Sequence, residues 1–154
     1  MTSSVANEAA FRFEAITERD FDALDALFAT HAQRGIDRDR LRHALPHFPA
    51  VAVWAGKEIV GFAYMFGFAP DVAELANIFV LARHQNAGLG SRLLGALLDR
   101  LPEGIEAVIA VNSDLNAVLE QKRRPDGFYE RMSFKIIAST PDSTIYWWGG
   151  RHRQ

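Results

Sequence analysis

The first part of the chain changes from an alternating to a helical pattern of apolar residues. Residues 10–17, AFRFEAIT, alternate apolar and mainly polar side chains, and this period of two predicts a β-strand. Thr17, with Asp20 three positions later, has the spacing of a helix N-cap. The apolar residues that follow at intervals of three or four predict a helix. A second short helix is predicted from about 38 to 45, where Pro46 ends it.

The rest of the chain consists largely of apolar runs separated by turn residues. Residues 50–68 hold two such runs around Gly56-Lys57 and predict a β-hairpin. The further predicted elements are a buried strand over 71–80, a helix that Pro102 and Gly104 end, a buried strand over 105–111, a helix beginning near Asp114, and strands over 133–139 and 143–149. This order predicts an α/β fold with a mixed sheet of six or seven strands and about four helices. The early sheet is antiparallel and becomes parallel around a strand–helix–strand crossover.

The composition adds mainly exclusions. The chain has 154 residues and 49% are hydrophobic, which suits a single domain over 1–154 with residues 1–9 as a loose tail. Its formal net charge of −2 gives no general attraction to nucleic acid or anionic lipid. The absence of cysteine excludes disulfides, thiolate zinc sites and a cysteine nucleophile. The start lacks a signal-peptide pattern and no apolar run reaches the length of a membrane span, so we expect a cytoplasmic protein.

The segment 84–101 carries the clearest candidate chemistry, because a glycine-bearing loop there opens into an amphipathic helix. The P-loop pattern fails, since no lysine follows Gly90, and the dinucleotide pattern is weak, since Leu93 stands where its third glycine belongs. A third pattern, Gln85-x-x-Gly88-x-Gly90 between a buried strand and a helix, is present. The first N–H groups of a helix lack intrahelical partners and bind anions, and glycine lets a pyrophosphate approach them without a Cβ in the way.

Residues 72–94, VAELANIFVLARHQNAGLGSRLL, resemble the GNAT superfamily of acetyl-CoA-dependent N-acetyltransferases, and the predicted element order also matches that fold. Ala82 replaces the family's usual proline. The resemblance implies direct transfer of the acetyl group from acetyl-CoA to an amine in a ternary complex, without a metal. It also implies that the end of the strand pairs with the pantetheine arm, in a gap where two parallel strands splay, and that the loop binds the pyrophosphate. The residues concerned are Ile78, Phe79 and Val80 for the arm, and Gln85, Asn86, Ala87, Gly88, Leu89, Gly90 and Ser91 for the loop.

Two side chains are candidates for the proton transfers that acyl transfer to an amine requires. Glu74 interrupts an apolar strand, where a buried acid is costly unless it is paired or functional, and it precedes Gln85 by the interval at which many family members carry the base. The alternative is an exposed strand-edge residue or one that positions substrate. Tyr129 matches the family's late tyrosine, with Ser133-Phe134 replacing a Gly-Phe pair, and would protonate the leaving thiolate. The alternative is a core tyrosine.

Several assignments remain open from the sequence. Asn116 is expected to contact the pantetheine. Because the segment between Asn116 and Tyr129 is longer than in the family pattern, Asn112 is the alternative. The acceptor is expected to be a small-molecule amine, with a protein or peptide amine, or a non-catalytic acyl-CoA-binding module, as alternatives. The histidines lack metal-ligand spacing, so no metal site is expected. Neither nucleic acid nor membrane is an expected partner. Trp147 and Trp148 would close the core or the interface of a homodimer.

Overall fold

The computed structural model describes residues 11–31, 38–113, 127–141 and 143–149, and these form seven strands and four helices. The elements are β1 (Phe11–Ala15), α1 (Phe21–His31), α2 (Arg38–Ala44), β2 (Ala50–Ala55), β3 (Glu58–Ala69), β4 (Val72–Val80), α3 (Leu89–Leu98), β5 (Ala107–Ser113), α4 (Phe128–Arg131), β6 (Lys135–Ser139) and β7 (Ser143–Trp148). Two 3₁₀ turns, Glu18–Asp20 and Ala82–Ala87, precede α1 and α3.

The seven strands form one mixed sheet in the order β1-β2-β3-β4-β5-β7-β6. β1 pairs antiparallel with β2, and β2 with β3. β4 pairs in parallel with β5, and α3 lies between them in the sequence, as a parallel connection requires. β7 pairs antiparallel with both β5 and β6. The predicted mixed sheet with a strand–helix–strand crossover is therefore confirmed.

Residue contacts divide the chain into two compact units. Unit 1 comprises the residues up to Tyr64 together with Asn77–Leu101. Its α3 packs on β2, and its fully buried side chains come from the helices and from the inner strands. They include Leu24, Leu41, Val51, Val53, Val60, Phe62, Leu89, Leu93, Leu94 and Leu97. The apolar spacing that predicted this helix thus marks the face that α3 buries.

The N-cap predicted from the sequence before α1 is present in unit 1. The backbone N–H of Thr17 donates to Oδ2 of Asp20 at 2.9 Å, and the N–H of Arg19 donates to Oγ1 of Thr17 at 3.3 Å. These bonds satisfy donors that have no partner at a helix start. The short 3₁₀ turn at Glu18–Asp20 leads directly into α1 at Phe21.

Unit 2 comprises Met65–Ala76 together with the residues from Pro102 onward. One apolar cluster forms around the parallel pair of strands and contains Val72, Ala107 and Ile109, with Ala69, Ile145 and Trp147 packed against it. A second group is aromatic and contains Tyr129, Phe134 and Tyr146, all buried. Trp147 therefore contributes to the core of this unit.

Two local features differ from the sequence-based expectation, and a third lies outside the described residues. β5 begins at Ala107 rather than at residue 105, and the N–H of Glu106, just before the strand, donates to the carbonyl of Asp71 at 2.8 Å. The four-residue α4 was not predicted, since one helical turn is too short to show a period. The helix predicted near Asp114 lies outside the described residues. Within the described ranges, no helix is long and apolar enough to span a membrane.

Candidate functional site

The glycine loop turns at Gly88 in unit 1. Gly88 has φ 74° and ψ 12°, the left-handed conformation, and it both ends the 3₁₀ turn and forms the N-cap position of α3. A Cβ at this position would meet no atom within 4 Å, so the backbone angle, rather than space, requires glycine here. Gly90, in contrast, is the second residue of α3 and is helical. Only one of the two glycines therefore makes the turn.

The start of α3 is left without a side-chain cap. Gly88 supplies no side-chain hydrogen bond to the first turn, and the first turn contains no acidic residue. The helical bonds begin where the N–H of Arg92 donates to the carbonyl of Gly88 at 3.3 Å. The N–H groups of Leu89, Gly90 and Ser91 precede that bond and point out of the helix end, at the positive pole of its dipole. This arrangement can bind an anion.

Neighbouring elements of unit 1 hold the segment before α3 in place. Leu81 donates its N–H to the carbonyl of Val60, and His84 donates its N–H to the carbonyl of Leu81, both at 2.8 Å. The Arg83 guanidinium pairs with Glu58 at 2.8 Å, and the His84 ring packs edge-on against Phe11 at 5.5 Å between centroids. These contacts attach the segment that precedes the amides of α3 to β1 and to β3.

Just before the loop, the backbone N–H and C=O groups of successive β4 residues point alternately toward β3 and away from it. The N–H of Leu81 points toward β3, and the carbonyl oxygen of Phe79 lies beside Gly61 of that strand. Consecutive residues of a strand present their N–H and C=O groups to opposite edges. The polar groups of Ile78 and Val80 therefore point to the edge away from β3. Of the three residues implied for the pantetheine, these two are oriented toward a ligand at that edge.

Glu74 lies in unit 2 at the point where the pairing of β4 with β5 ends. The register pairs are Val72 with Ala107, Ala73 with Val108 and Glu74 with Ile109. Within the described part of this unit, β4 continues to Ala76 and β5 to Ser113 without a further pair between them. Glu74 is half-buried, in a strand whose neighbouring positions Ala73 and Leu75 are buried. It thus combines an apolar setting with the end of a parallel ladder.

Tyr129 lies in unit 2, in the aromatic group around α4. It is 6% exposed, and its ring centroid is 4.7 Å from that of Tyr146, 5.5 Å from Phe134 and 5.1 Å from Phe128. Burial, and secondarily the neighbouring Tyr146, raises the pKa of Tyr129 to about 12. The phenol therefore keeps its proton across the physiological pH range. The packing agrees with the core alternative, and the retained proton also suits a hydrogen-bond donor.

Backbone hydrogen bonds to Tyr129 and Glu130 close the turn after α4. The N–H of Phe134 donates to the carbonyl of Tyr129, and the N–H of Ser133 to the carbonyl of Glu130, both at 3.0 Å. This pair of bonds, with a left-handed residue between helix and strand, is the Schellman motif. Ser133 occupies the left-handed position with φ 73°, which glycine usually fills. The Ser-Phe pair noted in the sequence therefore stands at a position that favours glycine.

For some of the residues expected to bind CoA, the structure gives only the position of the backbone, and one of them lies outside the described residues. Gln85, Asn86 and Ala87 form the end of the 3₁₀ turn, and Asn112 pairs in register with Thr144. Asn116 lies outside the described residues. Among the described residues, no group of three or more histidines, aspartates and glutamates could hold a metal ion.

Gly61 and the conformation of Ser133 were missed by sequence reasoning. A glycine inside the apolar run of β3 was the available signal for the first, since such glycines mark close backbone approach. For the second, the signal was a serine in place of the family glycine.

Comparisons with known proteins agree with this architecture. The sequence profile of the Acetyltransferase (GNAT) family matches residues 10–134. The comparison with curated proteins gave no significant match. Ard1 from Thermoplasma volcanium is similar in structure, with a TM-score of 0.70, 18% identity and coverage of 92% of this chain and 99% of that one.

Two further solved structures have the same level of identity. The ribosomal-protein-S18-alanine N-acetyltransferase from Escherichia coli has a TM-score of 0.70 and 18% identity, and the match covers 90% of this chain and 93% of that one. The loading GNATL domain of CurA from Lyngbya majuscula has a TM-score of 0.73 and 18% identity, with 93% and 99% covered. At these identities the similarity concerns the fold.

Proposed function

Because the chain belongs to the acetyltransferase (GNAT) family, we propose that it transfers the acetyl group of acetyl-CoA to the amine of a small molecule. The observation that carries this proposal is the start of α3, where Gly88 provides no side-chain cap and the first turn holds no acid. The N–H groups of Leu89, Gly90 and Ser91 suit the pyrophosphate of CoA, which is anionic and accepts several hydrogen bonds. Gly90 keeps a Cβ away from the approaching phosphates.

The strand that leads into the loop is proposed to hold the pantetheine arm. Pantetheine contains two amides, which can pair with a strand edge as an added strand does. Ile78 and Val80 are the residues of this part of β4 whose N–H and C=O point away from β3. They are therefore proposed to form these bonds, while Phe79 separates them and faces β3. The acyl donor would thus be bound mainly by backbone groups.

Glu74 and Tyr129 are proposed to manage the protons of the transfer. Acetyl-CoA supplies a thioester, whose C–S bond breaks as the C–N bond of the product forms. Glu74 would accept the proton that the attacking amine loses, directly or through one water. Tyr129 would donate a hydrogen bond, and finally its proton, to the departing sulfur. Its raised pKa keeps the phenol neutral and available as a donor until that moment.

A protein or peptide amine is the second candidate acceptor. The structurally similar E. coli protein is named as an acetyltransferase of the alanine of ribosomal protein S18. A peptide α-amine and a small primary amine share the same reacting nitrogen, and they differ in the surface that surrounds it. A panel that contains polyamines, amino acids, aminoglycosides and peptides with free N-termini separates the two candidates by thiol release from acetyl-CoA.

The proposed phosphate site is tested by comparing two variants, in each of which an aspartate replaces a glycine with a positive φ. Gly88→Asp places a carboxylate at the N-terminus of α3, where it repels the pyrophosphate, and we expect the Kd of CoA to rise by at least about tenfold. Gly104→Asp is the matched control, because Gly104 also has a positive φ and a Cβ at this position would also meet no atom within 4 Å. Calorimetric titration with CoA measures both.

The outcomes distinguish the parts of the proposal. An unchanged CoA affinity in Gly88→Asp, or an equal loss in Gly104→Asp, contradicts the loop assignment. Binding of CoA by the unmodified protein without thiol release for any amine in the panel supports the non-catalytic module instead. Absence of CoA binding by the unmodified protein contradicts the proposal as a whole.

A further inference from the structure

Gly61 lies in β3 at a position that admits no side chain. A Cβ on this residue would lie 2.7 Å from the carbonyl oxygen of Phe79, 3.0 Å from Cγ1 of Val53 and 3.3 Å from Cα of Val80. The first distance is shorter than an ordinary carbon–oxygen contact. Since Phe79 contributes a backbone atom, it cannot rotate away as a side chain can. The glycine therefore permits β3 and β4 to approach closely at the end of β4.

The direction of this contact matters for the neighbouring residues. The carbonyl of Phe79 faces β3, and the polar groups of Ile78 and Val80 face the opposite edge. A methyl group at residue 61 would push Phe79 away from β3 by roughly 0.6 Å before reaching the ~3.3 Å of a close C···O contact. Ile78 and Val80 belong to the same strand and would move in the same direction.

We propose that Gly61 is a positioning residue for the acyl donor, because it sets the distance between β3 and β4 and so places the backbone of Ile78 and Val80 for the pantetheine arm. This inference rests on the proposed function. Hydrogen bonds between backbone groups occupy a window of about 0.5 Å in N···O distance. A shift of roughly 0.6 Å is as large as that window, so it disturbs each bond from this edge to a bound amide.

The loop that binds the phosphates would respond differently. Its geometry is set by Gly88 and by the contacts of Leu81, Arg83 and His84. Gly61 itself makes none of these contacts; the bond from Leu81 goes to the carbonyl of the neighbouring Val60 and attaches the start of the loop to β3. A ligand that has the phosphates but lacks pantetheine should therefore bind independently of the residue at position 61. A purely destabilising effect on unit 1 would instead weaken both ligands.

The experiment compares two ligands on Gly61→Ala. One is CoA, and the other is adenosine 3′-phosphate 5′-diphosphate, the part of CoA without pantetheine. We expect the Kd of CoA to rise about tenfold, the loss that accompanies one broken hydrogen bond. We expect the Kd of the nucleotide to stay within about twofold. Calorimetric titration at a temperature well below the unfolding midpoint of both proteins measures the two constants.

A second variant identifies the contact responsible. Val53→Ala combined with Gly61→Ala removes the neighbour at 3.0 Å and leaves the Phe79 carbonyl at 2.7 Å. We expect this double variant to regain stability and to keep the CoA defect, and it carries the test if Gly61→Ala alone does not fold. Restored CoA affinity in the double variant overturns the proposal.

Two results with Gly61→Ala also overturn the proposal, namely unchanged CoA affinity and equal weakening of both ligands. Failure of the unmodified protein to bind CoA is a separate result, obtained before any variant is made, and it removes the proposed function itself.

Discussion

At the scale of single residues, Tyr129, the candidate acid, has a property that its residue type alone does not predict. A free phenol has a pKa near ~10 and a thiol near ~8.5. Burial, with the contribution of Tyr146, raises the pKa of Tyr129 to about 12. Transfer of its proton to a thiolate is therefore uphill by roughly 3–4 pKa units. Its first contribution is accordingly the hydrogen bond that it donates as a neutral phenol.

Tyr129→Phe should separate chemistry from donor binding. We expect kcat to fall about 100-fold, as for the loss of a proton donor in the transition state. The Kd of CoA should stay within about twofold, since no phosphate or pantetheine contact is assigned to this residue. Tyr64→Phe is the control, because Tyr64 is also buried, stacked on Phe62 in unit 1. Steady-state kinetics with an accepted amine measure kcat, and a normal kcat in Tyr129→Phe excludes the role.

The candidates for proton transfer could be proposed from the sequence, and their surroundings could not. Glu74 interrupts an apolar strand, and Tyr129 stands in a recognisable motif. The requirement for glycine at position 61 depends instead on Phe79, which is distant in the sequence and lies 2.7 Å from the space that a Cβ would fill. No local pattern contains that distance.

At the scale of elements, the joint between α4 and β6 depends on one strained residue. Ser133 takes the left-handed conformation with φ 73°, and the bonds from Ser133 and Phe134 back to Glu130 and Tyr129 require it. A left-handed conformation costs an L-residue roughly 1–2 kcal/mol that glycine avoids. The strain is held by the Schellman bonds and by the packing of Phe134 against Tyr129.

Ser133→Gly should therefore stabilise the protein. Relief of the backbone strain exceeds the added entropy of glycine in the unfolded chain, and we expect a net gain of roughly 0.5–1 kcal/mol in the free energy of unfolding. Ser139→Gly is the matched control, because Ser139 lies in the exposed strand β6, where glycine destabilises. Urea unfolding followed by circular dichroism measures both. A loss of stability in Ser133→Gly contradicts this account of the joint.

Elements with a clear period were predicted well, and short connections were not. The alternation over 10–17 and the leucine spacing after Gly90 indicated β1 and α3, which the structure contains. The 3₁₀ turn at Ala82–Ala87 and the one-turn α4 extend over too few residues to show a period. The sequence pattern also did not distinguish the two loop glycines, whereas in the structure Gly88 makes the turn and Gly90 is helical.

At the scale of the whole molecule, the sequence predicted a mixed sheet with a parallel pair of strands, and it did not predict the order of the strands. Buried strands on either side of α3 indicated a parallel pair, since such a pair needs a long crossover. The placement of β7 between β5 and β6 depends on long-range register, for example Ala110 with Tyr146 and Tyr146 with Ile136. The same register brings Tyr146 into the aromatic group of Tyr129. Sheet order thus determines the environment of the candidate acid.

Because of this environment, the free energy of unfolding should decrease at alkaline pH. The pKa of Tyr129 is raised in the folded state, so its contribution is fully present below pH ~10 and is lost as the pH rises toward ~12. By pH 11 the folded protein should have lost roughly 1 kcal/mol through this group. Tyr129→Phe removes the titration, so its free energy of unfolding should improve by that amount relative to the unmodified protein between pH 8 and pH 11. Urea unfolding at one-unit steps measures the difference, and a difference that stays constant would show that the folded state leaves the pKa of this phenol unchanged.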